Sequence, residues 1–146
     1  MNYEIKPATL SDVADIKKIE DECFSTPWSE NSIEEALKNP CSHFYLAKVN
    51  GETAGYIGIQ IFSGEGYFTN VATLPEFRKQ GIAKALIERT LENEMEFLTL
   101  EVRKSNIPAI SLYKKLGFEE VGIRPKFYRE PNEDAVLMTK FLKDID

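Results

Sequence analysis

The stretch from Gly66 to Arg103 restricts the fold more than any other part of the chain. Gly66 to Leu74 alternates as a strand, Gln80 to Glu94 places Ile82, Ala83, Leu86, Ile87, Thr90 and Leu91 at helical spacing, and Phe97 to Arg103 alternates again. Strand, helix and strand in so short a stretch form a βαβ crossover, which makes the two strands parallel and the connection right-handed. The fold is therefore mixed α/β, with a parallel strand pair in an otherwise antiparallel sheet.

The flanking sequence supplies antiparallel partners. Tyr3 to Pro7 reads as a strand. Ser11 or Asp12 can cap a helix with Val13, Ile16, Ile19 and Cys23 on one face, and Ser29 can cap a second helix, carrying Ile33, Ala36 and Leu37, that stops at Pro40. Strands Cys41 to Val49 and Glu52 to Phe62 join at Asn50-Gly51, two residues that tolerate the positive φ of a tight hairpin. Asn106 caps a helix that accepts Pro108 in its first turn and ends at Gly117; strands from Phe118 to Arg124 and Ala135 to Leu142 follow. The predicted order is β-α-α-β-β-β-α-β-α-β-β.

At 146 residues the chain has room for one domain, 1–146, and its 42% hydrophobic and 29% charged residues suit a folded soluble protein. The longest uncharged stretch, Thr53 to Gly64, is too short to span a bilayer, and the N-terminus lacks the apolar run of an export signal. A cytoplasmic protein without membrane contact is expected. Eighteen Lys plus Arg against 24 Asp plus Glu give a net charge of −6, which disfavours nucleic acid phosphates and fits a cationic partner. Cys23, Cys41 and the single histidine, His43, cannot build a Cys/His zinc site, so no metal is expected. The cysteines read as small buried residues and His43 as a strand residue. A general base must then be a carboxylate, tyrosine, lysine or water.

Chemistry concentrates at two places. Arg78-Lys79-Gln80-Gly81-Ile82-Ala83 follows a strand and opens a helix, where first-turn amides lack internal partners and a glycine lets a pyrophosphate approach. A glycine that merely packs tightly against the sheet would look the same. On the strand Phe97–Arg103, Glu101 shares a face with Phe97, Thr99 and Arg103, and it could be a desolvated base or a solvated carboxylate. Tyr113 lies on the stripe Ala109, Leu112, Leu116, where a core tyrosine is the plain alternative.

Arg78, Gly81 and Ala83 match the acetyl-CoA motif [Gln/Arg]-x-x-Gly-x-[Gly/Ala] of the GNAT N-acetyltransferases, and the predicted element order is similar to that acyl-CoA N-acyltransferase fold. Leu100-Glu101-Val102-Arg103, Ser105-Asn106, Ala109 with Leu112-Tyr113, and Leu116-Gly117-Phe118 resemble the RimI branch, the ribosomal-protein-alanine N-acetyltransferases. So do Pro27-Trp28-Ser29 and Glu133-Asp134-Ala135. The resemblance implies splayed parallel central strands and acetyl-CoA as acetyl donor. Val71, Ala72 and Thr73 would bind the pantetheine arm; Arg78, Lys79, Gln80, Gly81, Ile82, Ala83 and Lys84 would hold the pyrophosphate; and Asn106 would help hold the cofactor.

The resemblance also implies Glu101 as base, Tyr113 as acid, and an N-terminal α-amine as acceptor, that of a basic small-subunit ribosomal protein. A monomer or weak dimer is expected. Trp28, Tyr128, Glu133 and Asp134 are the candidate substrate residues, with a packed tryptophan, an edge-strand tyrosine and a polar turn as their structural alternatives. Phe127 stands where the branch often has a second tyrosine, and Ala83 replaces its commoner glycine. An enzyme of this fold acting on a small amine or internal lysine, and a silent acetyl-CoA-binding module, are the rival readings.

Overall fold

In a computed structural model that describes residues 2–129 and 131–142, seven strands and four helices alternate along the chain. They are β1 (Tyr3–Pro7), α1 (Val13–Cys23), α2 (Glu30–Lys38), β2 (Ser42–Val49), β3 (Glu52–Phe62), β4 (Glu65–Thr73), α3 (Ile82–Thr90), β5 (Phe97–Arg103), α4 (Ile107–Lys115), β6 (Glu119–Tyr128) and β7 (Glu133–Phe141). The expected order is thus observed, and the strands are hydrogen-bonded in the sequence β1-β2-β3-β4-β5-β7-β6. The chain divides into two compact units, Met1–Phe62 with Thr69–Glu94, and Ser63–Phe68 with Met95–Asp146, so β4 contributes to both.

In the first unit, β1 and β3 flank β2 in antiparallel register, from Tyr3 opposite Val49 and from Ser42 opposite Gln60. Asn50 and Gly51 take φ of 50° and 82°, the left-handed pair the hairpin needs. Period-two alternation gives β2 and β3 two faces. Phe44, Leu46 and Tyr56 pack with Ile16 and Ile19 of α1 and Ile33 of α2, and all three isoleucines are at most 1% exposed. Each stabilises the fold by roughly 1.5–3 kcal/mol relative to an exposed side chain. Tyr45 lies on the other face, toward α3, where the Arg89 guanidinium sits 4.7 Å from its ring and Asn93 Nδ2 donates to its hydroxyl at 2.9 Å.

The start of α1 differs from expectation. Residues Leu10–Asp12 form a 3-10 turn, and Asp12 does not cap α1. Its carboxylate turns back to the Thr9 amide (2.8 Å) and to the Lys6 ammonium (3.1 Å). Ser29 caps α2 as expected, accepting from the Ser32 amide at 3.1 Å. A 3-10 turn at Pro75–Phe77 precedes α3, which is shorter at both ends than its apolar periodicity suggested.

In the second unit, β4 and β5 form a parallel ladder of three register positions, Glu65 to Tyr67 against Phe97 to Thr99. So short a ladder agrees with central strands that splay. β7 pairs antiparallel with β5 along its whole length and with β6 on its other edge. On β5, Leu98, Leu100 and Val102 are buried, while Phe97, Thr99, Glu101 and Arg103 remain partly open. Phe68, Tyr113 of α4 and Phe118 form a cluster of rings 5.8–6.1 Å apart.

Candidate active site

The turn before α3 presents unpaired backbone donors. Lys79 and Gly81 take φ of 63° and 82°, and the first hydrogen bond of the helix is from the Ala85 amide to the Gly81 carbonyl. The amides of Ile82, Ala83 and Lys84 therefore have no intrahelical acceptor, and they point out of the helix N-terminus. A Cβ on Gly81 would meet no atom within 4 Å, so this glycine is required by its positive φ and does not fill a tight packing space. An open surface over unpaired amides fits the pyrophosphate of a CoA thioester. Arg78 does not extend toward it, because its Nε donates to the Thr73 carbonyl at 3.0 Å and ties the turn to the end of β4. Gln80 donates to the Glu76 carbonyl at 3.3 Å. Cys23 Sγ lies 3.5 Å from the same Thr73 carbonyl; it is half-buried, as is Cys41, and not the buried residue expected, while loss of water pushes its thiol pKa up.

The second unit carries Glu101 and Tyr113. Glu101 lies between the two alternatives: its side chain is 29% exposed, and Oε1 pairs with Arg124 Nη1 at 3.4 Å. Its other oxygen, Oε2, has no hydrogen-bond partner among the described residues. Tyr113 is 7% exposed, and among the described residues its hydroxyl makes no hydrogen bond. Burial, with a smaller contribution from Tyr128, pushes its pKa up to about 12, so the phenol keeps its proton at neutral pH. Tyr128 is also raised, by burial and then by the charge of Glu101. Asn106 caps α4 through Oδ1, which accepts from the Ala109 amide at 3.3 Å, while its Nδ2 has no partner among the described residues.

The sequence profile of the acetyltransferase (GNAT) family matches residues 13–118. The chain belongs to that family. It is 37% identical over 139 residues, 92% of each chain, to a Bacillus subtilis protein provisionally named a ribosomal protein bS18-alanine N-acetyltransferase. It is 35% identical over 155 residues to an N-alpha-acetyltransferase of Sulfolobus acidocaldarius, covering 94% of this chain and 92% of that one. The crystal structure of the Escherichia coli ribosomal-protein-S18-alanine N-acetyltransferase superimposes with a TM-score of 0.91 at 28% identity, covering 99% of this chain and 97% of that one. This GNAT chain is therefore an acetyl-CoA-dependent N-acetyltransferase.

Within the GNAT fold the candidate substrate residues prove to be engaged internally. Trp28 packs against the first unit's core, its amide donating to Glu20 Oε1 at 2.8 Å and its carbonyl accepting from Lys17 at 2.9 Å. Asp134 Oδ1 accepts from the Lys126 amide at 2.9 Å. Glu133 pairs with Arg103 at 3.4 Å and accepts from the Ser105 amide; hydrogen bonding from Ser105, reinforced by Arg103, holds its carboxyl below the usual range. Sequence reasoning missed Glu20 and the side-chain role of Arg103. For Glu20 a signal existed: a carboxylate four residues after Ile16, inside the apolar stripe of α1. No helix among the described residues is long and apolar enough to cross a membrane.

Proposed function

We propose that this acetyltransferase modifies the N-terminal α-amine of a protein, with the N-terminal alanine of a small-subunit ribosomal protein as its substrate, and that it works in the cytoplasm. The bS18-alanine relatives support the substrate. The observation that carries the chemistry is a pair of groups in the second unit without hydrogen-bond partners among the described residues, Glu101 Oε2 and the buried Tyr113 hydroxyl.

Acetyl-CoA supplies the acetyl group as a thioester. The neutral amine attacks the thioester carbonyl, a C–N bond forms and the C–S bond breaks. Glu101 accepts the amine proton, directly or through a water, and Tyr113 donates its proton to the departing sulfur. A phenol raised to about 12 is fully protonated where the enzyme works, as a donor must be. An α-amine, with a pKa of about 7.7–8.0 against about 10.4 for lysine, is substantially neutral near pH 7.5, so a carboxylate is a sufficient base. The amides of Ile82, Ala83 and Lys84 hold the pyrophosphate, and Val71 to Thr73 hold the pantetheine. Tyr128 borders the acceptor.

The test offers acetyl-CoA with peptides beginning Ala-Arg, the same peptides blocked at the α-amine, and polyamines, and measures CoA thiol release. Turnover confined to the free α-amine is expected; equal turnover of blocked, lysine-containing peptides would refute the assignment. Glu101→Gln should lower kcat by roughly 10²–10⁴-fold with CoA affinity retained. Tyr113→Phe should slow departure of the thiol, and full activity would remove its role.

A further inference from the structure

We propose that Arg103 is a positioning residue for the peptide substrate, holding Tyr128 and Glu133 in the arrangement that receives the acceptor chain; this rests on the peptide reading above. Arg103 ends β5, two residues beyond Glu101 and on the same face. Its guanidinium stacks 4.4 Å from the centre of the Tyr128 ring. Nη1 donates to the Pro131 carbonyl at 3.0 Å and pairs with Glu133 Oε1 at 3.4 Å, and Nη2 donates to the Arg129 carbonyl at 3.3 Å. The other Glu133 oxygen takes the Ser105 amide at 2.5 Å, one residue before the cap of the helix that carries Tyr113. One side chain thus joins the paired residues Tyr128 and Glu133 to the turn leading into α4.

The fold does not depend on that side chain. β6 and β7 keep their own ladder from Glu119 opposite Thr139 onward, and the bonds from the Lys104 amide to the Asp134 carbonyl (3.1 Å) and from the Lys126 amide to the Asp134 side chain (2.9 Å) remain without it. Removing Arg103 would therefore free the Tyr128 ring and Glu133 Oε1, leaving Oε2 on the Ser105 amide and the strands paired. Lysine cannot substitute, because a single ammonium cannot stack on a ring and also donate to two carbonyls and a carboxylate from a planar fork. Ordering a binding aromatic in advance lowers the cost of association, so its loss should appear in the acceptor's KM.

The experiment compares Arg103→Ala and Arg103→Lys with the wild type on an Ala-Arg peptide. Both variants should raise the peptide KM about tenfold, with a smaller change in kcat and an unchanged KM for acetyl-CoA. Tyr128→Ala should raise the peptide KM to a similar extent, and the Arg103→Ala, Tyr128→Ala pair should be no worse than either alone. A wild-type peptide KM in both Arg103 variants, additive effects in the pair, or a parallel rise in the acetyl-CoA KM would overturn the inference. If Arg103→Ala does not fold, Arg103→Lys carries the same KM comparison. Wild-type turnover of the free α-amine decides the reaction separately, and the Arg103 comparison is made on whichever amine the wild type accepts.

Discussion

Glu20 is 1% exposed, and three donors converge on its carboxylate: the Tyr56 hydroxyl at 2.6 Å, the Trp28 amide at 2.8 Å and Asn70 Nδ2 at 3.1 Å. They come from β3, the segment between α1 and α2, and β4. One residue of α1 therefore fixes three separate parts of the first unit. Burial, and then hydrogen bonding to Glu20, raises the Tyr56 phenol well above its ordinary pKa, so it remains a donor. Glu20→Ala strands all three donors and should cost about 3–5 kcal/mol in urea unfolding. Glu20→Gln keeps the shape but turns an amide NH₂ toward a donor, so its cost should be about 1–3 kcal/mol. A loss below 1 kcal/mol for the alanine variant would mean that water replaces the carboxylate.

At the scale of the element, the turn into α3 shows how local rules generate a site. Gly81 lies in the left-handed region with open space around the position of a Cβ, and α3 starts immediately after it. Gly81→Ala should cost about 1–2 kcal/mol of stability from the unfavourable φ. It should also weaken CoA binding beyond any effect of unfolding, because any shift of φ away from the left-handed region re-aims the unpaired amides of the first turn. Calorimetric titration with CoA, at a urea concentration where both proteins are folded, separates the two effects. Unchanged affinity would place the pyrophosphate elsewhere. Much of this element was legible beforehand, as were the caps at Ser29 and Asn106 and the turn at Asn50-Gly51, because each depends on neighbours within four residues. The cap of α1 was misread because Thr9 and Lys6 compete for the Asp12 carboxylate.

Across the whole molecule, titration should define a stability plateau. Burial raises the Asp12 pKa, but hydrogen bonds from Thr9 and Lys6 outweigh it and leave the carboxyl below its ordinary value. The stability Asp12 contributes is present above about pH 4 and is lost as pH falls through the lowered folded value. Tyr56 and Tyr113 are shifted the other way. Their contribution is complete below about pH 10 and is lost as pH rises toward the folded values. Urea midpoints should therefore be flat with respect to both tyrosines between about pH 5 and 9, and Tyr56→Phe should flatten the alkaline fall. An alkaline slope unchanged in that variant would assign the loss to other groups.

The net charge of −6 suggests acidic residues open to a basic peptide, yet Glu133 and Asp134 are both occupied within their own unit. Element types, their order, the glycine of the anion turn and the positions of Glu101 and Tyr113 follow from periodicity, capping and motif spacing, all of which act over a few residues. Which carboxylates are free, and which hold the fold together, follows from partners far away in the chain. Glu20 meets Tyr56 and Asn70 across 36 and 50 residues, and Arg103 meets Arg129, Pro131 and Glu133 across 26 to 30. Such meetings depend on strand register and on the packing of α1, because a charge removed from water is stable only where the folded chain brings it a partner.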